Sequence, residues 1–478
     1  MKKLGKSLSD HKTGIKFLRI IFILLIASIV WVFMPVPSGL SERGFHMLII
    51  FVSTMVGMML EVFPMCGFLF ISLLIASLTK TIDLKTQGFS GFTNTVPWLL
   101  FFVLALSKAV TSSTLGLRIA YFFLKIFGKN ILGLAYSISL TETFLSTILP
   151  SNTARSASIG FPLVTSLSGY IGSHVKNASI KAVGSFLTLV YTTANSICSN
   201  MFLTAMISNA IIFDYMEKHD VSVNWITWAK NMIIPGIILL FIIPLVLYFL
   251  VPPKVNNLGE LQKVAHDKSK EMGPLTKNEK YVIIVFGSML VLWILADIIG
   301  INIMTTTLLG LCVFLMIGTF SIKDVLSDHS ALNSVITLGI LISYVNNLTD
   351  FGVIQWFNHS ISHIIQYTPS SMHVYILCIV YFFTHYFFSG EGSRIIALYL
   401  PFLTTGLALG IDKIQLMTLL TAFSSLSDML AHYTCPVSIL MFTNNYISVK
   451  KWMSVGIVLS IISMSVWFLY SSFALMFR

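Results

Sequence analysis

Apolar runs of membrane-crossing length recur along this chain from Phe17 to Phe477, and the polar residues between them fall into a few short strings. A spanning helix needs about 20 apolar residues. Length and Gly/Pro punctuation place such helices near 17–34, 45–60, 63–79 and 94–112 in the first part of the chain. Residues 116–130, GLRIAYFFLKIFGKN, are shorter and set Arg118 and Lys125 among aromatics, the pattern of a helix lying in the membrane interface. Apolar stretches at 131–148 and 156–171 flank the string PSNTAR, and the run 180–212 carries the polar string TTANSICSN at 192–200. A helix at 226–251 closes this half.

The segment 252–280 is rich in Pro, Lys and Asn and reads as a linker. After it the order repeats. Spans are expected at 280–298, 301–320 and 334–350, then a short piece at 352–367. Stretches at 372–388 and 395–410 flank SGEGSR, the run 414–447 is interrupted at 428–436, and a last span covers 451–477. Spacing tests the repeat. Arg155 precedes Pro162 by seven residues and Arg394 precedes Pro401 by seven, an offset of 239 that sets Gly390, Glu391 and Gly392 opposite Ser151, Asn152 and Thr153. Gly116 and Gly352 open the two interfacial pieces at an offset of 236. Paired, Gly/Pro-interrupted apolar segments at corresponding positions point to the substrate site of a secondary transporter.

Composition agrees with the pattern. Of 478 residues 56% are hydrophobic and 10% charged, against about 25% charged in soluble domains. The net charge of +11 does not signal nucleic-acid binding, because the cations cluster beside spans. Residues 1–19 carry Lys2, Lys3, Lys6, Lys12, Lys16 and Arg19, and six lysines lie in 252–280. By the positive-inside rule both segments are cytoplasmic. The five cysteines form no CxxC pair, so neither disulfides nor a metal site is expected. The first apolar stretch lacks a small-x-small cleavage site and reads as a retained helix of a plasma-membrane, multi-pass protein.

Four breaks are expected, at 150–155, 192–200, 389–394 and 428–436. Irregular backbone survives at membrane depth only when buried in protein or lining a cavity. Converging breaks would make a polar cavity whose half-helix N-termini favour an anion. The candidate substrate residues are Ser151, Asn152, Thr153, Arg155, Ser199, Asn200, Ser389, Gly390, Glu391, Arg394, Thr434 and Pro436. Hydroxyls, amides and guanidinium groups all donate to carboxylates, and one arginine per repeat suits a ligand with two of them. Each arginine has a second possible role, Arg155 as the partner of Glu142 and Arg394 as the partner of Glu391. Asp428 and His432, four residues apart, either pair on one helix face or hold a proton or cation. Lys108 reads as a snorkelling lysine.

The strings LPSNTARS, HYFFSGEGSR and AHYTCPVSILMFTNNYISVKKW resemble the divalent anion–sodium symporter family. The fit is to its exchanger branch of 2-oxoglutarate/malate translocators and citrate/succinate antiporters. That resemblance implies an all-α polytopic fold of about eleven transmembrane helices and two re-entrant hairpins in two inverted repeats, working as a homodimer by an elevator movement. It assigns residues 1–130 and 280–367 to scaffold parts, 131–251 and 368–478 to transport parts, and 252–279 to a cytoplasmic linker. It also implies that Ser151, Asn152 and Thr153 bind substrate carboxylate, whereas the second Ser-Asn-Thr motif is replaced by Ser389, Gly390 and Glu391. The expected function is exchange of di- or tricarboxylates without a cofactor, with guanidinium charges standing where sodium-coupled members bind sodium. Sodium- or proton-coupled symport is the alternative. A membrane enzyme is disfavoured by the lack of a DDxxD motif or His cluster, and a channel would lack saturable, trans-stimulated turnover.

Overall fold

The computed structural model describes residues 19–59, 65–174, 179–219, 221, 223–253, 255, 258–365, 367–388 and 390–476, all helical or irregular with no strand among them. The N-terminal lysines and Ser389 lie outside the described residues. Among the described residues four helices are long and apolar enough to cross a membrane on their own: Ile131–Ile148, Trp225–Leu250, Ala331–Asp350 and Val449–Phe473. A fifth crossing arises if Leu84–Thr93 and Thr95–Thr111, bent by 47°, count as one span. Shorter apolar helices cover Arg19–Phe33, Met65–Leu78 and Ile303–Ile317.

The chain divides into two compact units. The first takes the described residues of Met1–Phe101, His329–Ser371 and Ile396–Leu409. Its centre is the helix His329–Asp350, packed against Glu42–Met59, Met65–Leu78 and the turns at 84–93. Gly91 makes that approach possible: a Cβ there would lie 2.1 Å from the Gly339 carbonyl, and its N–H donates to Ser343 at 2.8 Å. Thr54, Ser72 and Tyr344 form a buried hydroxyl chain with 2.6 Å steps.

The second unit takes Phe102–Asp328, Met372–Ile395 and Gly410–Arg478. Its centre is the helix Ile180–Met201, in which every residue from Val183 to Met201 is buried. Ile131–Ile148, Phe161–His174, Trp225–Leu250 and Lys413–Leu426 pack around it. The polar string at 192–200 does not break this helix, contrary to the sequence expectation. The hydroxyls of Thr192, Thr193, Ser196 and Ser199 bond carbonyls one turn back at 2.6–3.0 Å, so the string keeps its helix and hides its polarity. The break comes later, at Phe202–Ile207. The segment read as a linker holds a helix of its own, Gly259–Glu271, whose Leu261 and Ala265 are buried against Leu115–Phe127.

Local structure repeats with the sequence offset. A single α-turn at Asn152–Arg155 leads into a wide π-type turn at Ser156–Gly160 and then the helix Phe161–His174. Likewise Glu391–Arg394 leads into a wide turn at Ile395–Tyr399 and the helix Leu400–Ala408. Both α-turns and both wide turns are shifted by 239 residues. The two short pieces read as interfacial are 13-residue helices, Leu115–Phe127 and Val353–Ile365. π-type turns inside helices are frequent at functional sites.

Candidate functional site

The site is built in the second unit. The helix Ile131–Ile148 starts on Asn130, whose side chain accepts from Gly133 N–H, and stops at Leu149–Pro150 because proline disfavours a helical residue before it. Ser151 then caps the next turn, its hydroxyl accepting from Ala154 N–H at 3.2 Å. Asn152 Oδ1 accepts from Thr153 N–H at 2.8 Å, which turns its amide toward the turn at Glu391. There Nδ2 of Asn152 donates to Oε1 of Glu391 at 2.9 Å. Asn152 and Glu391 are 239 residues apart, so the contact joins equivalent positions of the two repeats. In this tip Ser151 and Asn152 are buried and Thr153 is exposed.

Arg155 faces the other way. Its Nε donates to Glu142 Oε1 at 2.7 Å, and Nη1 donates to the carbonyls of Leu149 and Ala205, each at 2.6 Å. Glu142 also accepts from Asn195 Nδ2 at 2.7 Å and from the Tyr191 hydroxyl at 3.0 Å. Gly160 is required beside them, since a Cβ there would lie 2.0 Å from the Tyr191 ring. Of the two roles open to Arg155, the structure realises the pairing with Glu142. Its guanidinium also supplies donors to the Leu149 carbonyl at the 149–150 bend and the Ala205 carbonyl in the break at 202–207, and only Nη2 has no partner.

Arg394 has no ion pair with Glu391. Its Nη1 donates to the Tyr381 carbonyl at 3.0 Å, and its Nη2 donates to the Phe423 and Ser424 carbonyls and the Ser427 hydroxyl at 2.6–3.1 Å. The guanidinium lies over the Tyr381 ring, 4.5 Å from its centre. It thereby caps the end of the helix Lys413–Leu426, whose last carbonyls lack partners because the chain breaks there.

The remaining candidates divide similarly. Asn200 Nδ2 donates to the Thr421 and Ala422 carbonyls at 2.9 and 2.8 Å, leaving Oδ1 without a partner. Ser199 is occupied within its own helix. Thr434 closes the turn after Asp428 by donating to the Ala431 and Asp428 carbonyls, and Pro436 starts the helix Pro436–Phe442. Gly390 precedes Glu391 without a side-chain cap.

Asp428 does not pair with His432. The helix ends at Leu426 and a tight turn covers Ser427–Met429, so the one-turn spacing of a continuous helix is lost. His432 instead packs on Phe442, ring centres 4.3 Å apart. The partner of Asp428 is His385, its Nε2 lying 2.7 Å from Oδ1. Sequence reading did not single out His385. It lies among aromatics six residues before Glu391, and no spacing ties it to Asp428, 43 residues later. Tyr191 and Tyr381 were missed for the same reason, since a tyrosine in an apolar run reads as core.

Comparison with known proteins gives the family. Residues 15–476 match the family model described as "Sodium:sulfate symporter transmembrane region". A chloroplastic dicarboxylate transporter 1 of Spinacia oleracea is 32% identical, over 93% of this chain and 78% of that one. A putative malate transporter of Bacillus subtilis is 34% identical over 96% of each chain, and the citrate/succinate antiporter of Escherichia coli is 29% identical over 90% and 92%. Among solved structures, that of MtrF from Neisseria gonorrhoeae matches with a TM-score of 0.54 at 14% identity, covering 96% of this chain and 94% of that one, which is a likeness of fold. The chain belongs to the sodium:sulfate symporter transmembrane-region family and is a membrane transporter.

Proposed function

We propose that this transporter exchanges di- or tricarboxylates of the malate, succinate, 2-oxoglutarate and citrate class across the plasma membrane. The observation that carries the reading is the meeting of the two hairpin tips, Asn152 donating to Glu391 at 2.9 Å. Two irregular segments, each followed by a wide turn, come together in a buried place, as a substrate site between broken helices requires. Ser151, Asn152 and Thr153 supply hydroxyl and amide donors for one carboxylate. The names of the relatives support that class, being dicarboxylate and malate transporters and a citrate/succinate antiporter.

The two arginines act by holding the bends that present the tips, rather than by touching the anion. The carrier works as a homodimer of eleven-span subunits with an elevator movement of the hairpin-bearing part, its N-terminus cytoplasmic. These features rest on the family resemblance and on the lysines flanking the first span and following 251. Sodium-coupled symport is the second reading, favoured by the printed description of the matching family.

Counterflow in proteoliposomes separates the two. Labelled malate, succinate, 2-oxoglutarate and citrate are offered outside with each unlabelled acid inside, with and without sodium. Exchange predicts uptake that requires an internal acid and is indifferent to sodium. Uptake into empty vesicles driven by a sodium gradient would establish symport in its place.

A further inference from the structure

Three ionisable side chains meet where the second hairpin tip approaches the last broken helix. Glu391, Asp428 and His385 are 7%, 2% and 0% exposed. Glu391 Oε1 takes the Asn152 amide, while no N–H or hydroxyl donor reaches its Oε2. The Asp428 carboxyl lies within hydrogen-bonding reach of Glu391. Its Oδ1 is 2.7 Å from Nε2 of His385, and neither atom has another partner.

The contact between the two carboxyls needs an added proton, because two ionised carboxylates have only lone pairs to offer one another. His385 meets Asp428 when its neutral ring carries the hydrogen on Nε2, and takes up a further proton only as imidazolium. Like charges in one buried site do not both ionise readily. The cation nearest to the acids, Arg394, spends its Nη1 and Nη2 on carbonyls and the Ser427 hydroxyl, so it relieves the repulsion only through space. Other groups facing the cluster are neutral: the Cys435 thiol beside Asp428, and Tyr381 beneath Arg394. The helix Ile180–Met201 packs the Ser196 carbonyl on Ser425, and through Asn195 it links Asn152 to the Glu142–Arg155 pair, while the last helix packs Gly456 and Ser463 on Met429.

We propose that Glu391, Asp428 and His385 form a proton-binding site, and that an anion arriving at the neighbouring Asn152 tip is bound together with a proton taken up by this cluster. The link is electrostatic and reciprocal: each proton removes one negative charge from beside the anion, and the anion makes each proton harder to lose. A transporter with such a site balances the extra charge of a tricarboxylate against a dicarboxylate without a metal ion. The identity of the anion rests on the carboxylate-transport reading; the proton site does not.

The test uses the full chain in detergent, lightly buffered, with malate as probe and a pH indicator as readout. Malate addition is expected to draw up to about one proton per bound anion, and its Kd to rise by up to about tenfold per pH unit on the alkaline side. Asp428→Asn and Glu391→Gln each abolish the uptake, and His385→Gln diminishes it. Absence of uptake in the wild type anywhere between roughly pH 6 and 9 overturns the proposal, as does undiminished uptake in all three variants. Sodium that releases protons and restores tight malate binding at high pH would make this a sodium site, which also overturns it. Infrared spectra of the substrate-free wild type cover two further cases, a variant that fails to fold and a protein that does not bind malate at all. A protonated carboxyl band at neutral pH that disappears on alkaline titration supports the site, and its absence refutes it. Absence of malate binding alongside that band defeats only the carboxylate reading.

Discussion

The two repeats carry the same arginine and use it differently. Thirteen residues before Arg155 stands Glu142, and thirteen before Arg394 stands Tyr381. In the first repeat the acid sits behind the bend and forms a closed ion pair, while the tip position holds the neutral Asn152. In the second repeat an aromatic ring sits behind the bend and the acid, Glu391, has moved to the tip. One hairpin is therefore charge-balanced within itself. The other sets its arginine on carbonyls and its acid where the two tips meet, next to Asp428. A structural repeat fixes where a charge can be carried, and the side chain chosen at each position decides whether it holds the scaffold or faces the ligand.

The largest effect should come from breaking the closed pair. Glu142→Gln leaves the Arg155 guanidinium buried without its counter-ion, a change that costs about 3–5 kcal/mol. Thermal unfolding in detergent is expected to show a collapse of the melting temperature. A shift as small as that of Tyr381→Phe would mean the pair contributes no more than one neutral hydrogen bond. Next is Arg118→Ala, away from the hairpins, where Arg118 Nε and Thr114 hydroxyl both meet Glu279 at 2.6 Å. Burial pushes the Glu279 carboxyl up, but hydrogen bonds from Arg118, Thr114 and Thr276 outweigh it and hold the group at about 2. A depressed acid stabilises the fold fully above its ordinary value of 4.5, and that contribution is lost as pH falls from there toward about 2. Arg118→Ala should flatten this acid limb of the stability curve as well as lower stability at neutral pH.

Gly160→Ala tests the first repeat more gently. Its Cβ would meet the Tyr191 ring at 2.0 Å, so Tyr191 must move off Glu142, at a cost of about 1–3 kcal/mol by overpacking. The corresponding change in unfolding midpoint is the readout, and none would mean that the ring is free to shift. The smallest effect belongs to Tyr381→Phe, which removes a hydroxyl 2.8 Å from Ser424 and keeps the ring under Arg394. About 1 kcal/mol is expected. A loss matching that of Glu142→Gln would erase the difference between the hairpins.

Much of this was legible in the sequence for clear physical reasons. Helix limits followed from apolar length and Gly/Pro punctuation, which is why Ile131–Ile148 and Trp225–Leu250 fall within a residue of expectation. The 239-residue offset was visible from Arg155 and Arg394 and recurs in the backbone turns. The string at 192–200 misled because hydroxyl-bearing residues look alike whether they break a helix or bond back along it. The arginines were ambiguous because a buried guanidinium satisfies carbonyls as well as it satisfies a ligand. The Asp428–His385 contact was invisible because it joins positions 43 residues apart across a break, and periodicity describes only what is local.

The most direct test of the central claim, that the meeting hairpin tips bind the transported anion, is malate counterflow by wild type and Asn152→Ala, with malate binding measured separately on folded protein. The account predicts that Asn152→Ala folds, loses at least about tenfold in malate affinity, as expected for a lost charge-assisted hydrogen bond, and loses counterflow in parallel. Wild-type affinity and counterflow in a folded Asn152→Ala protein would contradict it.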